Sequence, residues 1–115
     1  MAVKTKDFDK LLLDSIDDAL LSLGDSVRQS IYFHVERNFK VTRDEIPQTL
    51  EHFQLALEKI FGVGSRYIEI LIMKGLYTKI GHPLRMEKNE QLEFINYVDA
   101  ARQSFMRECR TDENR

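Results

Sequence analysis

Apolar residues recur at three- and four-residue spacing along most of this sequence, in runs that stop at short breaks marked by glycine or proline. That period is the signature of amphipathic helices, in which positions i, i+3, i+4 and i+7 share a face. The first run, Phe8, Leu12, Ile16, Ala19, Leu20 and Leu23, predicts a helix over about residues 6–23. Asp14, Asp17 and Asp18 fall on its other side, and Gly24 stands where a C-terminal cap is expected. Val27, Ile31, His34 and Val35 form a second stripe over about residues 25–39, flanked by Tyr32 and Phe39, with Asp25 as the expected N-cap. Thr42-Arg43-Asp44-Glu45 then has the form of a capping box, which Ile46-Pro47 interrupts, so a single short turn is expected there.

Leu50, Phe53, Leu57, Ile60 and Phe61 carry a third helix that ends at Gly62-Val63-Gly64. Ser65 is the expected cap of a fourth, which stops at Ile80-Gly81 before His82-Pro83. Its apolar residues, from Tyr67 and Ile68 through Leu76, Tyr77 and Ile80, cover nearly the whole circumference. A helix of that kind is central to a core or shares a face with a second subunit. A fifth helix is expected over about residues 89–109, capped by Asn89, with Leu92, Ile95, Val98, Ala101 and Phe105 in its stripe. Phe94, Tyr97 and Met106 widen that stripe, and the polar end at 110–115 is expected to fray.

The fold class follows. Five glycines and two prolines are too few for the frequent hairpin turns of a many-stranded β fold. The prediction is an all-α, compact bundle of four to five helices with short connections, a core bundle over about 6–81 plus the C-terminal helix. A chain of 115 residues leaves little room for two independent cores, so one domain is expected. The apolar stretch Ile68–Met73, broken by Glu69, falls far short of the roughly 20 residues a membrane span needs. The start of the chain lacks the apolar run of a signal peptide, and Cys109 has no second cysteine to pair with. A cytoplasmic, membrane-free protein is the expectation.

Motifs that carry chemistry are scarce. Gly62-Val63-Gly64-Ser65 opens a helix, where backbone amides hold phosphate well. Yet Tyr67 occupies the third glycine position of the dinucleotide fingerprint, and no strand precedes the turn. His34, His52, His82 and Cys109 show no metal-ligand spacing. No nucleophile elbow is present. No catalytic residue, cofactor, metal or small-molecule substrate is therefore expected. Asp14 and Asp18 share a face beside Asp17, and read as solvated charge on an outer surface. His34 is the candidate phospho-acceptor, a histidine in the middle of a bundle helix. It sits on the apolar stripe and is followed by Val35, not an acidic residue, so a core or boundary histidine is the preferred reading.

Nucleic acid is the other alternative. The pair Leu50–Phe61 and Ser65–Ile80 has helix-turn-helix order, but its second helix offers base edges only Ser65 and Arg66 before turning apolar. Arg28, Arg37, Lys40, Arg43 and Arg66 are the candidate contacts, and Arg102, Arg107 and Arg110 form another basic group; acids interleave both. With 17 basic against 19 acidic residues, the net charge of −2 also disfavours phosphate binding.

One family resemblance runs over residues 15–81. It is carried by Leu23-Gly24-Asp25-Ser26-Val27, Ile31-Tyr32, Val35-Glu36, Ile46-Pro47, Phe53, Leu57, Ile60-Phe61-Gly62, Ile68-Glu69, Ile72 and Leu76-Tyr77. In these the chain resembles the small all-helical output domain of archaeal signalling proteins, the Nitrosopumilus output domain type. The resemblance implies an interaction or output module with no catalytic residues to carry over. Against that pattern, no receiver or kinase module accompanies the domain in this sequence, and a C-terminal helix is added. The expectation is a non-catalytic protein-binding module, a homodimer or a partner of another protein. Its expected surface is Tyr67, Ile70, Met73 and Tyr77 of the fourth helix with Tyr97, Phe105 and Met106 of the fifth.

Overall fold

The computed structural model describes residues 2–84 and 93–113. Among these, five α-helices run in order: α1 (Ala2–Leu21), α2 (Asp25–Phe39), α3 (Leu50–Phe61), α4 (Ser65–Ile80) and α5 (Phe94–Glu113). Two 3-10 turns, Arg43–Gln48 and Gly62–Gly64, connect α2 to α3 and α3 to α4. The all-α bundle with short connections is thus the observed fold.

Helix α4 is the axis of the bundle. It packs most extensively on α1, then on α5, and touches α3 on its remaining side. Phe8, Leu12, Ile16 and Leu20 of α1 meet Ile68, Ile72, Met73 and Leu76 of α4, all of them buried. Two small residues let these helices approach: a Cβ added at Gly75 would lie 3.7 Å from the Ser15 Cβ. Ser15 is itself buried, and its hydroxyl donates to the Leu11 carbonyl at 2.8 Å, so no polar group is stranded at the crossing. Phe53 and Leu57 of α3, Ile31 and Val35 of α2, and Ile46 of the first 3-10 turn close the core from the other side.

Several boundaries differ from those the sequence predicts. Helix α1 starts at Ala2 and stops at Leu21, leaving Ser22 and Leu23 in a turn where Leu23 is exposed and outside the stripe. Gly24 belongs to the next helix: at φ 121° it is the residue that precedes α2. That conformation suits glycine, and it moves the cap off Asp25. Asp25 is instead the first helical residue, where its carboxylate accepts from Arg28 at 2.7 Å and Gln29 at 2.9 Å. Helix α2 ends without a glycine, on Lys40 at φ 60°, whose N–H bonds the Glu36 carbonyl. The turn at Thr42–Glu45 forms as expected, with the Glu45 carboxylate accepting from both the Thr42 N–H (3.0 Å) and hydroxyl (2.7 Å).

Ser65 does not cap α4; it is the first residue of the helix and is buried, with Gly64 before it. In α3 the buried set is Leu50, Phe53, Ala56 and Leu57, which leaves Ile60 exposed. In α5 the core residues are Phe94, Val98 and Ala101, and Ile95 is half-buried. Asn89 and Leu92, the expected cap and first stripe residue, lie outside the described residues. The helix runs on to Glu113, past the expected end at 109.

Candidate functional site

The expected α4–α5 partner surface is largely consumed by the fold. Met73 is completely buried, because α1 covers the side of α4 it occupies. Tyr77 donates its hydroxyl to the Tyr97 carbonyl at 2.7 Å, so this pair fastens α4 to α5. Phe105 packs its ring 5.8 Å from that of Phe8, and Met106 and Ile70 lie half-buried against the core. Only Tyr67 of the expected set is strongly exposed, at 62%.

Exposed apolar side chains gather elsewhere. Among the described residues they are Leu21 at the end of α1 and Leu23 in the turn after it, then Phe33, Leu55, Ile60, Val63 and Tyr67. Val63 is 95% exposed at the tip of the second 3-10 turn, and Phe33 is 57% exposed on α2. Between α2 and α3 runs a groove of about 480 Å³ lined by His34, Asn38, Phe39, Lys59 and Ile60. The Phe33 ring, next to the groove in sequence, stands edge-on to His34 with centroids 5.8 Å apart.

Of the core or boundary placement expected for His34, the core one is corrected: the residue is exposed, at the boundary of the stripe. Ile31 and Val35, four apart, define the buried line of α2, and His34 lies on the edge facing the groove.

The basic candidates do not assemble into one patch. Arg28 and Arg43 are both turned to Asp17 of α1. Arg43 donates to both Asp17 oxygens, at 2.5 and 3.3 Å, and the Tyr32 hydroxyl donates to Oδ1 at 2.5 Å. Arg37 lies over the Phe33 ring at 5.8 Å, Lys40 is exposed at the end of α2, and Arg66 stands apart on α4. Asp17 is thus no solvated surface charge. Burial pushes its carboxyl pKa up, but the Arg43 and Tyr32 hydrogen bonds outweigh that and hold it below its ordinary value. Burial, reinforced by the hydrogen bond to Asp17, raises the Tyr32 pKa, and the hydrogen bond to Asp17 raises that of Arg43. One carboxylate so ties α1 to α2 and to the first 3-10 turn.

A feature that helical periodicity does not flag lies across the molecule. Glu69 interrupts the apolar run of α4 and is buried, only 3% exposed. It forms part of the wall of a cleft of about 730 Å³ between α3, the start of α4 and the start of α5. Polar groups there are Gln54 and Glu58 of α3, Ser65 and Arg66 of α4, and Glu93 before α5; Val63, Phe94 and Ile95 supply apolar wall. Gln54 Nε2 donates to Glu69 Oε1 at a long 3.4 Å. Burial, reinforced by the Glu58 charge, raises the Glu69 pKa, and the Gln54 hydrogen bond and Arg66 offset this only in part. The sequence signal was available: the single acidic residue of α4, set inside the apolar run Ile68–Met73.

The Gly62–Ser65 turn borders a cleft with three carboxylates, which repels phosphate, and its Gly62 and Ser65 N–H groups already bond backbone carbonyls. Among the described residues no three His, Cys, Asp or Glu are grouped to hold a metal ion. No described helix is long and apolar enough to cross a membrane.

No family model, curated protein or solved structure matches the chain.

Proposed function

We propose that this chain is a non-catalytic protein-interaction module that docks a partner on the face formed by α2, α3 and the turn into α4, with a second copy of itself as first occupant. The observation that carries this is the groove of His34, Phe39 and Ile60, with the exposed Phe33 ring in contact with His34 at its edge. Single exposed apolar residues are ordinary, whereas adjoining ones that leave a groove unfilled mark interaction surfaces. The family resemblance over residues 15–81, to a signalling output module, supports the same reading. Sedimentation equilibrium from micromolar to millimolar protein tests it. Reversible self-association is expected, weakened by the exposed-site change Phe33→Asp. A strict monomer throughout, with the wild type and this variant indistinguishable, contradicts it.

A second reading is favoured by one observation, the exposure of His34. A phosphoryl group on this imidazole would lie in a groove that also holds Lys59 and Asn38, a cation and an amide donor suited to its charge. Incubation with phosphoramidate and detection of phosphohistidine by phosphorus NMR tests this. A signal that persists in His34→Gln, or no signal at all, rejects it.

A further inference from the structure

We infer that the Glu69 cleft binds an organic cation: a protonated primary amine or a guanidinium carried on an alkyl stem. The inference does not rest on the proposed docking face: the groove at Phe33 and His34 shares no residue with this cleft, and only the turn into α4 borders both.

Four observations converge on it. The first is burial with thin compensation. A carboxylate has room for about four hydrogen bonds. Glu69, at 3% exposure, accepts one among the described residues, at 3.4 Å. Removing such a group from water is costly, and a glutamine would fill the same volume without that cost. The second is the missing counter-charge. Arg66 lies one turn before Glu69 and borders the same cleft, yet no described cation stands within ion-pair distance of Glu69. Arg66 reaches it only as a weak long-range influence, and Glu58 opposes that influence.

The third is the sign of the surroundings. Glu58, Glu69 and Glu93 against Arg66 leave the cleft net negative, which attracts a cation and repels carboxylates and phosphates. The same carboxylates are not clustered to ligate a metal ion, so hydrogen-bond donors on an organic cation fit better than a bare ion. The fourth is shape. A volume of about 730 Å³ with Val63, Phe94 and Ile95 in the wall accommodates an apolar stem beside the charged head. The head would donate to Glu69, and the Ser65 hydroxyl and Gln54 amide line its path. Such a head belongs either to a free alkylamine or to a lysine or arginine side chain of a partner.

The test uses the full chain and amide chemical-shift titrations. The probes are n-butylammonium and agmatine as free cations, n-butanol as the neutral counterpart, and an end-blocked glycine-serine peptide bearing one lysine and one arginine. Saturable shifts centred on Ser65, Glu69 and Phe94 are expected with a cation and not with butanol. Glu69→Gln, which should remain folded, is expected to weaken binding about tenfold. Arg66→Gln, which removes the like charge, is expected to tighten it. Saturation by the free amines assigns the site to a small molecule; saturation by the peptide alone assigns it to a partner's side chain. No saturable shift with any probe, equal binding by Glu69→Gln, or butanol matching butylammonium overturns the inference.

Discussion

Asp17 and Glu69 are both carboxylates withdrawn from solvent, and their surroundings move their pKa values in opposite directions. Asp17 receives hydrogen bonds from Arg43 and Tyr32, has Arg28 at 4.0 Å, and is held below its ordinary value. Glu69 is buried more deeply, has one long hydrogen bond, and is pushed above its ordinary value. The difference separates two uses of a buried charge. At Asp17 the partners are already in place, so the charge acts as a fastener between elements distant in sequence. At Glu69 the described partners amount to one long hydrogen bond, so the charge costs the fold more and leaves more for something that binds.

The largest expected effect lies on the fastened side. Asp17→Ala leaves Tyr32 and Arg43 without their acceptor, and is expected to cost about 2–3 kcal/mol, the range for hydrogen bonds to a charged group. Chemical denaturation measures it, and a double-mutant cycle with Arg43→Ala should show strong coupling. A loss below about 0.5 kcal/mol, the range of ordinary surface changes, breaks the comparison.

Next comes Glu69→Gln, for which the sign reverses. At neutral pH this variant is expected to be more stable than the wild type by about 1 kcal/mol, because it removes an under-compensated buried charge and keeps the Gln54 contact. Destabilisation of similar size would make Glu69 a fastener too.

Acid separates the two sites further. Asp17 contributes its stability above its ordinary value of 3.8, and that contribution is lost as pH falls through its lower folded value. Glu69 behaves oppositely. Below 4.5 it is protonated in both states; as pH rises above that, the unfolded chain ionises first and stability falls until Glu69 ionises in the fold. The advantage of Glu69→Gln should therefore fade towards pH 4, while the cost of Asp17→Ala fades only below it. Denaturation midpoints of the three proteins across this range check both signs.

The smallest effect is expected at the exposed corner. Val63→Ser, in a side chain 95% exposed, should change stability by less than about 0.5 kcal/mol. A larger loss would mean that the turn is needed for folding and not only for contact.

Helical periodicity carried the fold class, the order of helices and most of the core, because burial on one side of a helix imposes its spacing on the sequence. It misplaced His34 and Ile60, since each lies at the border of a stripe and only the position of the neighbouring helix decides which border is covered. It read Met73 as surface because an all-round apolar helix does not reveal which sides its neighbours occupy. Glycine marked the start of α2 but not its end, where Lys40 takes the left-handed conformation. The site was less legible still. Asp17 looks like its neighbours Asp14 and Asp18 until Tyr32, 15 residues on, and Arg43, 26 residues on, are folded against it. Glu69 was visible as a break in an apolar run, but its cleft is assembled from three separate segments.

Site-resolved carbon-13 titration of the side-chain carboxyls is the most direct test of the contrast between a closed and an open carboxylate. The account predicts that Asp17 titrates below 3.8 and Glu69 above 4.5 in the same folded protein. Coincident midpoints, or Glu69 titrating below its ordinary value, would contradict it.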